Sequence, residues 1–135
     1  MEHIKDILSD NLIGSLGTLN VDGSPWVTPV HMFADDDAVY WFSKDTHQHS
    51  KNIERDPRVS VSLWSQAGGT RGAYISGVAT KLSADELPEA LEIVVSAVGK
   101  VPPVFENTSG YRLPIGQIDT SRTSENRWYF YTENR

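Results

Sequence analysis

Cysteine is missing from the chain altogether. Its absence excludes a disulfide framework, thiolate chemistry and zinc sites built on cysteine. Basic residues are outnumbered: 12 Lys and Arg stand against 18 Asp and Glu, a net charge of −6 with His neutral. That balance argues against a nucleic-acid partner, whose phosphate backbone needs a basic field. A bound phosphate would have to rest on a local arrangement of donors. No apolar run is long enough to span a bilayer. The opening Met1-Glu2-His3-Ile4-Lys5-Asp6 lacks a basic region leading into an apolar stretch, so no signal peptide is expected. A cytoplasmic protein with no membrane partner is the expectation. Also missing are internal repeats, Gly-rich phosphate loops of the Walker or dinucleotide type, a serine elbow and a zinc-protease helix. Hydrolytic chemistry has no support. The 135 residues suit one domain, 1–135, with a single core.

What is present is mostly strand signal. Ile4, Ile7 and Leu8 predict a short helix within 2–8, and Leu12 to Leu19 a strand whose Gly14 and Gly17 suggest a bend or a close backbone approach. Asp22-Gly23 predicts a tight turn, after which Trp26 to Phe33 returns as a strand. Pro29 within it lacks a ladder donor, which places it at an edge or a bulge. Ala38 to Ser43 is a third strand, and Thr46 is placed to cap a helix that ends at Arg55, before Asp56-Pro57. Val59 to Trp64 alternates apolar residues with serine. Gly72 to Leu82 reads as one long strand with a candidate bulge at Gly77. Ser83 and Glu86 match a capping box, Pro88 falling near the start of the helix whose stripe is Leu91, Val94, Val95 and Val98. Tyr111 to Ile118 and Arg127 to Thr132 close the pattern. Six or seven strands, mainly hairpin-connected, predict a mainly β protein with a few short helices. A sandwich would satisfy much of this pattern; glycines inside strands favour a closed or partly closed antiparallel barrel.

The chemistry-bearing residues gather where the third strand hands over to the second helix: Ser43, Thr46, His47, His49, Ser50, Lys51 and Asn52. The free amides and partial positive charge of a helix N-terminus suit a phosphate; a polar, solvated first turn would read the same way. His31, His47 and His49 have no carboxylate companions at ligand spacing, so a metal site is not expected. Trp26, Trp41, Trp64 and Trp128 are compatible with core or interface packing and with a flat conjugated ring.

The order of Gly14-Ser15-Leu16-Gly17-Thr18-Leu19, Asp22-Gly23-Ser24-Pro25, Thr28-Pro29-Val30, Tyr40-Trp41-Phe42-Ser43 and His49-Ser50-Lys51-Asn52-Ile53-Glu54-Arg55-Asp56-Pro57-Arg58-Val59-Ser60-Val61 resembles the flavin-binding split barrels, the group of pyridoxamine 5'-phosphate oxidase and its FMN- or deazaflavin-using relatives. The likeness covers about Leu12 to Leu82 well and the C-terminal third loosely. It implies a six-stranded antiparallel split β-barrel of Greek-key type, dimeric, with flavin at the subunit interface. It also implies an FMN-dependent oxidoreductase that transfers a hydride to or from a small-molecule substrate. The implied cofactor-binding residues are Val27, Thr28, Phe42 and Ser43 by the ring and His49, Ser50, Lys51 and Asn52 by the phosphate. Arg71 and Trp128 would reach in from the partner chain. A deazaflavin (F420) reductase and a non-catalytic flavin or haem (tetrapyrrole) carrier are the alternatives. Two features depart from the better-known members. His49 stands where they carry a lysine, and the C-terminal Arg- and Trp-rich signature is missing, so oxidation of vitamin B6 itself is not expected.

Overall fold

The computed structural model describes residues 4–67, 69–99, 107–122 and 128–132. In chain order the elements are α1 (Ile4–Asp10), β1 (Ile13–Leu19), β2 (Pro25–His31), β3 (Phe33–Ala34), β4 (Ala38–Lys44), α2 (Gln48–Arg55), β5 (Arg58–Ser65), β6 (Arg71–Val78), β7 (Thr80–Lys81), α3 (Leu87–Val98), β8 (Thr108–Pro114), β9 (Gln117–Ile118) and β10 (Trp128–Thr132). A 3-10 turn occupies Thr120–Arg122. The expected Arg127 start of the last strand lies outside the described residues.

The strands form two sheets, of order β2-β1-β5-β6-β10-β9 and β3-β4-β8-β7. The mainly β reading holds, but the sheets are not closed into one six-stranded antiparallel barrel. Three runs, each expected as one strand, are each divided between the sheets. Tyr111 to Ile118 becomes β8 and β9, with the Ile115 amide between them donating to the Asp37 carbonyl at 2.8 Å. Trp26 to Phe33 breaks at Met32, whose amide donates to the Leu12 carbonyl at 2.7 Å, and Gly72 to Leu82 breaks at Ala79, whose amide donates to the Pro57 carbonyl at 2.9 Å. Strands that turn from one sheet into the next make corners of this kind. The expected bulge at Gly77 is absent, because the ladder runs unbroken through Gly77 opposite Val59. β10 joins β6 in parallel, a pairing that alternation along the sequence cannot reveal. Pro29 does sit in an edge strand, β2.

The β1–β2 hairpin closes as its residues dictate. Gly23 takes the positive φ of 84°, and the Asp22 carboxylate accepts from the Ser24 amide at 3.0 Å and its hydroxyl at 2.6 Å. Between the sheets the core buries Leu16, Met32, Val39, Trp41, Val61, Leu63, Ile75 and Leu113, joined by Ile7 and Leu8 of α1 and Ile53 of α2. The opposite face of the smaller sheet is also covered: Ala38 and Tyr40 pack with Ala90 of α3, with Phe42, Leu82 and Ile93 around them. Burial on both faces explains why β4 reads as a continuous apolar run rather than an alternating one.

Candidate functional site

The turn before α2 is held by backbone and carboxylate contacts. The His47 amide donates to the Lys44 carbonyl at 3.1 Å, and the Asp45 amide to that of Asn107 at 2.6 Å. The Asp45 carboxylate accepts from the Ser109 hydroxyl at 2.6 Å and lies 3.7 Å from the Lys81 ammonium. Thr46 is therefore not the cap. The N-cap is His47, in extended conformation and without a side-chain hydrogen bond to the helix. The first-turn amides of Gln48, His49 and Ser50 precede the earliest i→i−4 partner and receive no side-chain cap. At the other end, Asp56 is extended, as a residue before proline prefers.

Where β4 hands over to α2 the structure brings together Ser43 and His49. His49, 6% exposed, sits with its Nε2 at 2.8 Å from the Ser43 hydroxyl. Burial first, then the neighbouring His47 ring, push its pKa below the usual histidine value, so the imidazole is neutral at pH 7. Ser50, 3% exposed, has a buried hydroxyl with no hydrogen-bond partner among the described residues. Lys51 is exposed. Asn52 is 2% exposed, and its amide is consumed inside the protein. It donates at 3.0 Å to both the Thr18 hydroxyl and the Asn20 side-chain carbonyl, and accepts from Gln48 at 2.9 Å. That side chain clamps α2 onto the end of β1. Thr18, Asn20 and Gln48 thus shape the site although nothing local in the sequence singled them out.

Neighbouring strand residues point to opposite faces, which separates two of the expected pairs. Ser43 lies on the His49 side of β4, whereas Phe42 packs under α3 beside Leu82. Val27 is 67% exposed on the outer face of the larger sheet, whereas Thr28 is half-buried opposite Leu16. The strand edges matter as well. β2 is bonded only to β1, and β3 pairs with β4 only at Val39 and Tyr40. Among the described residues nothing pairs with the outer edge of β2 or with the later half of β4 on its β3 side, and α2 touches β1 and β2 while His49 ties it to β4.

Arg71 and Trp128 lie elsewhere in the subunit. Arg71 is opposite Ser65 and donates to the Asp6 carbonyl at 3.3 Å, at the far end of β6 from Val78. At ~3.3 Å per residue, roughly 23 Å separates the two ends of that strand. Trp128 covers Gly72, where an added Cβ would fall 2.2 Å from its ring, and stacks on Tyr74 at 4.9 Å. On this same outer face a groove of about 540 Å³ is floored by Ser15, Ser60, Ser62 and Ser76 and flanked by Val27, Tyr74 and Phe130. Arg122 stands over the Phe130 ring at 5.1 Å. The serines of β5 were legible as an alternating face; that they floor a groove was not.

Among the described residues no group of His, Asp and Glu is placed to hold a metal ion, and no helix is long and apolar enough to cross a membrane.

Comparison with known proteins agrees with this architecture. No curated protein matches the sequence. Among solved structures, a protein of unknown function from Agrobacterium tumefaciens is 25% identical with a TM-score of 0.66, the match covering 82% of this chain and 52% of that one. A heme binding protein from Mycobacterium smegmatis is 24% identical, TM-score 0.67, covering 81% and 48% respectively. An F420 reductase is 19% identical, TM-score 0.64, covering 84% and 94%. This chain spans about half the length of the first two. The family model described as pyridoxamine 5'-phosphate oxidase matches residues 1–122, so the chain belongs to the pyridoxamine 5'-phosphate oxidase family.

Proposed function

We propose that the chain is an FMN-dependent oxidoreductase that moves a hydride between bound flavin and a small substrate, acting as a homodimer with the cofactor between subunits. The observation that carries this reading is the N-terminus of α2. Its amides have no side-chain cap, and the buried hydroxyl of Ser50, in its first turn, has no partner among the described residues. A buried polar group left unsatisfied costs about 1–3 kcal/mol, a cost that a phosphate oxygen would remove. The anionic end of FMN fits this donor set.

Flavin, when bound, supplies the hydride chemistry. The chain's residues bind and orient it. Ser50, the first-turn amides and His49 would hold the phosphate, with the Lys51 ammonium adding charge from the exposed side. The flat ring would lie beside β2 and β4, with Thr28 and Ser43 as the hydroxyls nearest to it. Asn52 acts one step back, by fixing α2. Arg71 and Trp128 would meet the ring only across the dimer. No side chain is assigned an acid or base role.

The heme binding protein and the F420 reductase of the same fold make haem and deazaflavin the competing occupants. Deazaflavin carries a longer acidic tail, for which a chain of net charge −6 is poorly provided. The test is a titration with FMN, followed by fluorescence quenching and the visible spectrum, beside Lys51→Ala and His49→Ala. Saturable micromolar binding, weakened about tenfold or more in the variants, is expected. If FMN fails to bind while deazaflavin or haem does, the FMN reading is wrong.

A further inference from the structure

We propose that cofactor binding at this site is coupled to uptake of a proton by His49, so that the protein grips a phosphorylated flavin more tightly as pH falls and releases it as pH rises. The inference rests on the phosphate reading of the α2 N-terminus given above and adds its regulation.

The geometry sets the two protonation states against each other. Without a ligand, His49 is almost wholly buried, 2.8 Å from Ser43 and with its ring 5.3 Å from that of His47. Burial and a second imidazole both disfavour charge on it, and its pKa is depressed accordingly. The groups facing it from the other elements offer no compensating anion. β4 contributes the Ser43 hydroxyl and then the exposed Lys44, and β1 contributes Thr18, with Asn20 just after the strand, neither of which titrates. The only titratable residue of β2, His31, is opposite Ile13 at the far end of the strand from Leu19. His47 stands at the N-cap of α2, and on the helix itself stand Lys51, Glu54 and Arg55, all exposed, Glu54 five residues on from His49 and Arg55 bonded to the Leu19 carbonyl. Asp45, in the turn before the helix, is already engaged by Ser109 and Lys81.

A phosphate monoester reverses the balance. Above its second ionisation, at about pH 6, it carries close to two negative charges. Nε2 of His49 is engaged with Ser43, which leaves Nδ1 as the ring nitrogen for a ligand. A neutral ring could accept from Ser43 and donate from Nδ1, but only the imidazolium places a positive charge against the anion, which strengthens that bond further. The proton comes from solvent and returns there on release. Because the complex then binds one more proton than the free protein, affinity falls about tenfold per pH unit wherever free His49 is neutral and bound His49 charged. A lysine at this position would stay charged throughout and give no such dependence.

The decisive experiment is calorimetric titration of the whole chain with FMN, and with riboflavin, which has the same ring and no phosphate. Buffers of different ionisation enthalpy are compared from about pH 7 to about pH 9, above the phosphate's own titration. The expected result is uptake of about one proton per FMN near neutral pH, a Kd that rises about tenfold per pH unit, and no uptake with riboflavin. His49→Gln is expected to bind FMN with a flat pH profile, and His49→Lys to bind tightly without the slope. Histidine-ring NMR of the wild-type chain gives the same answer if a variant fails to fold: the His49 signal moves to its imidazolium position when FMN is added. FMN binding with no proton uptake overturns the coupling and leaves the FMN reading standing. Uptake that survives in His49→Gln assigns the proton elsewhere and also overturns it. No FMN binding at any pH overturns the cofactor reading itself, and the coupling with it.

Discussion

Both amide hydrogens and the carbonyl of Asn52 are spent on Thr18, Asn20 and Gln48, so a residue that the family pattern marks as a cofactor contact serves here as a clamp between helix and strand. Asn52→Ala would strand the buried Thr18 hydroxyl and release the half-buried Asn20 and the exposed Gln48. A loss of about 1–3 kcal/mol is expected in urea unfolding, together with weaker FMN binding, because the α2 N-terminus loses its seat on β1. A cost below ~0.5 kcal/mol would show that water replaces the amide without penalty. The types and order of Ser43, His49, Ser50 and Lys51 were legible in the sequence, since they follow one another from a strand into a helix. The partners of Asn52 were not. Thr18 and Asn20 lie more than thirty positions earlier in the chain, and neither periodicity nor capping rules reach across such a distance. The same limit explains why Thr46 reads as a cap. The rule rewards a threonine before a helix, whereas here tertiary contacts of Asp45 fix the turn and start the helix one residue later, leaving its amides uncapped.

At the scale of elements, local chemistry was the better guide wherever it was self-contained. The Ser83–Glu86 box forms as its spacing predicts. The Ser83 amide donates to the Glu86 carboxylate at 3.0 Å, and the Glu86 amide donates back to the Ser83 hydroxyl at 3.3 Å. Pro88 falls in the first turn of α3, where a missing N–H costs nothing. Accepting from the Ser83 amide, and secondarily bonding its side chain, holds the Glu86 carboxyl below the usual range. The contribution of the box is therefore present at neutral pH and fades as pH falls through the depressed pKa. Glu86→Ala, which removes the carboxylate that the Ser83 amide serves, is expected to lower the melting temperature at pH 7. The difference from wild type should shrink in acid, as thermal melts at both pH values would report. An equal loss at both would mean that the charge of the carboxylate is not what matters. Corners and pairings were beyond such rules. Met32 and Ala79 are ordinary apolar residues in ordinary strand sequence, and what turns the chain there is a single amide bonded to a distant carbonyl.

For the whole molecule the open question is what covers the outer face of the larger sheet. Val27, Trp64 and Tyr74 are exposed there. Ser15, Ser62, Tyr74 and Phe130 follow one another in register across four strands. Small hydroxylated residues at the centre let another surface approach closely, and aromatic groups at the rim supply apolar area, the composition that interfaces favour. A second copy of the chain, as the proposed homodimer requires, would need about 800 Å² of each partner's surface. Ser62 lies near the middle of the face and points away from the core, so Ser62→Arg places a bulky charge in the interface without disturbing the fold. Light scattering is expected to show the dimer mass halved, with circular dichroism unchanged. On the proposal that Arg71 and Trp128 meet the cofactor from the partner, FMN affinity should fall alongside. A variant that remains dimeric would move the interface to another face. One that dissociates yet binds FMN as before would confine the cofactor site to a single subunit.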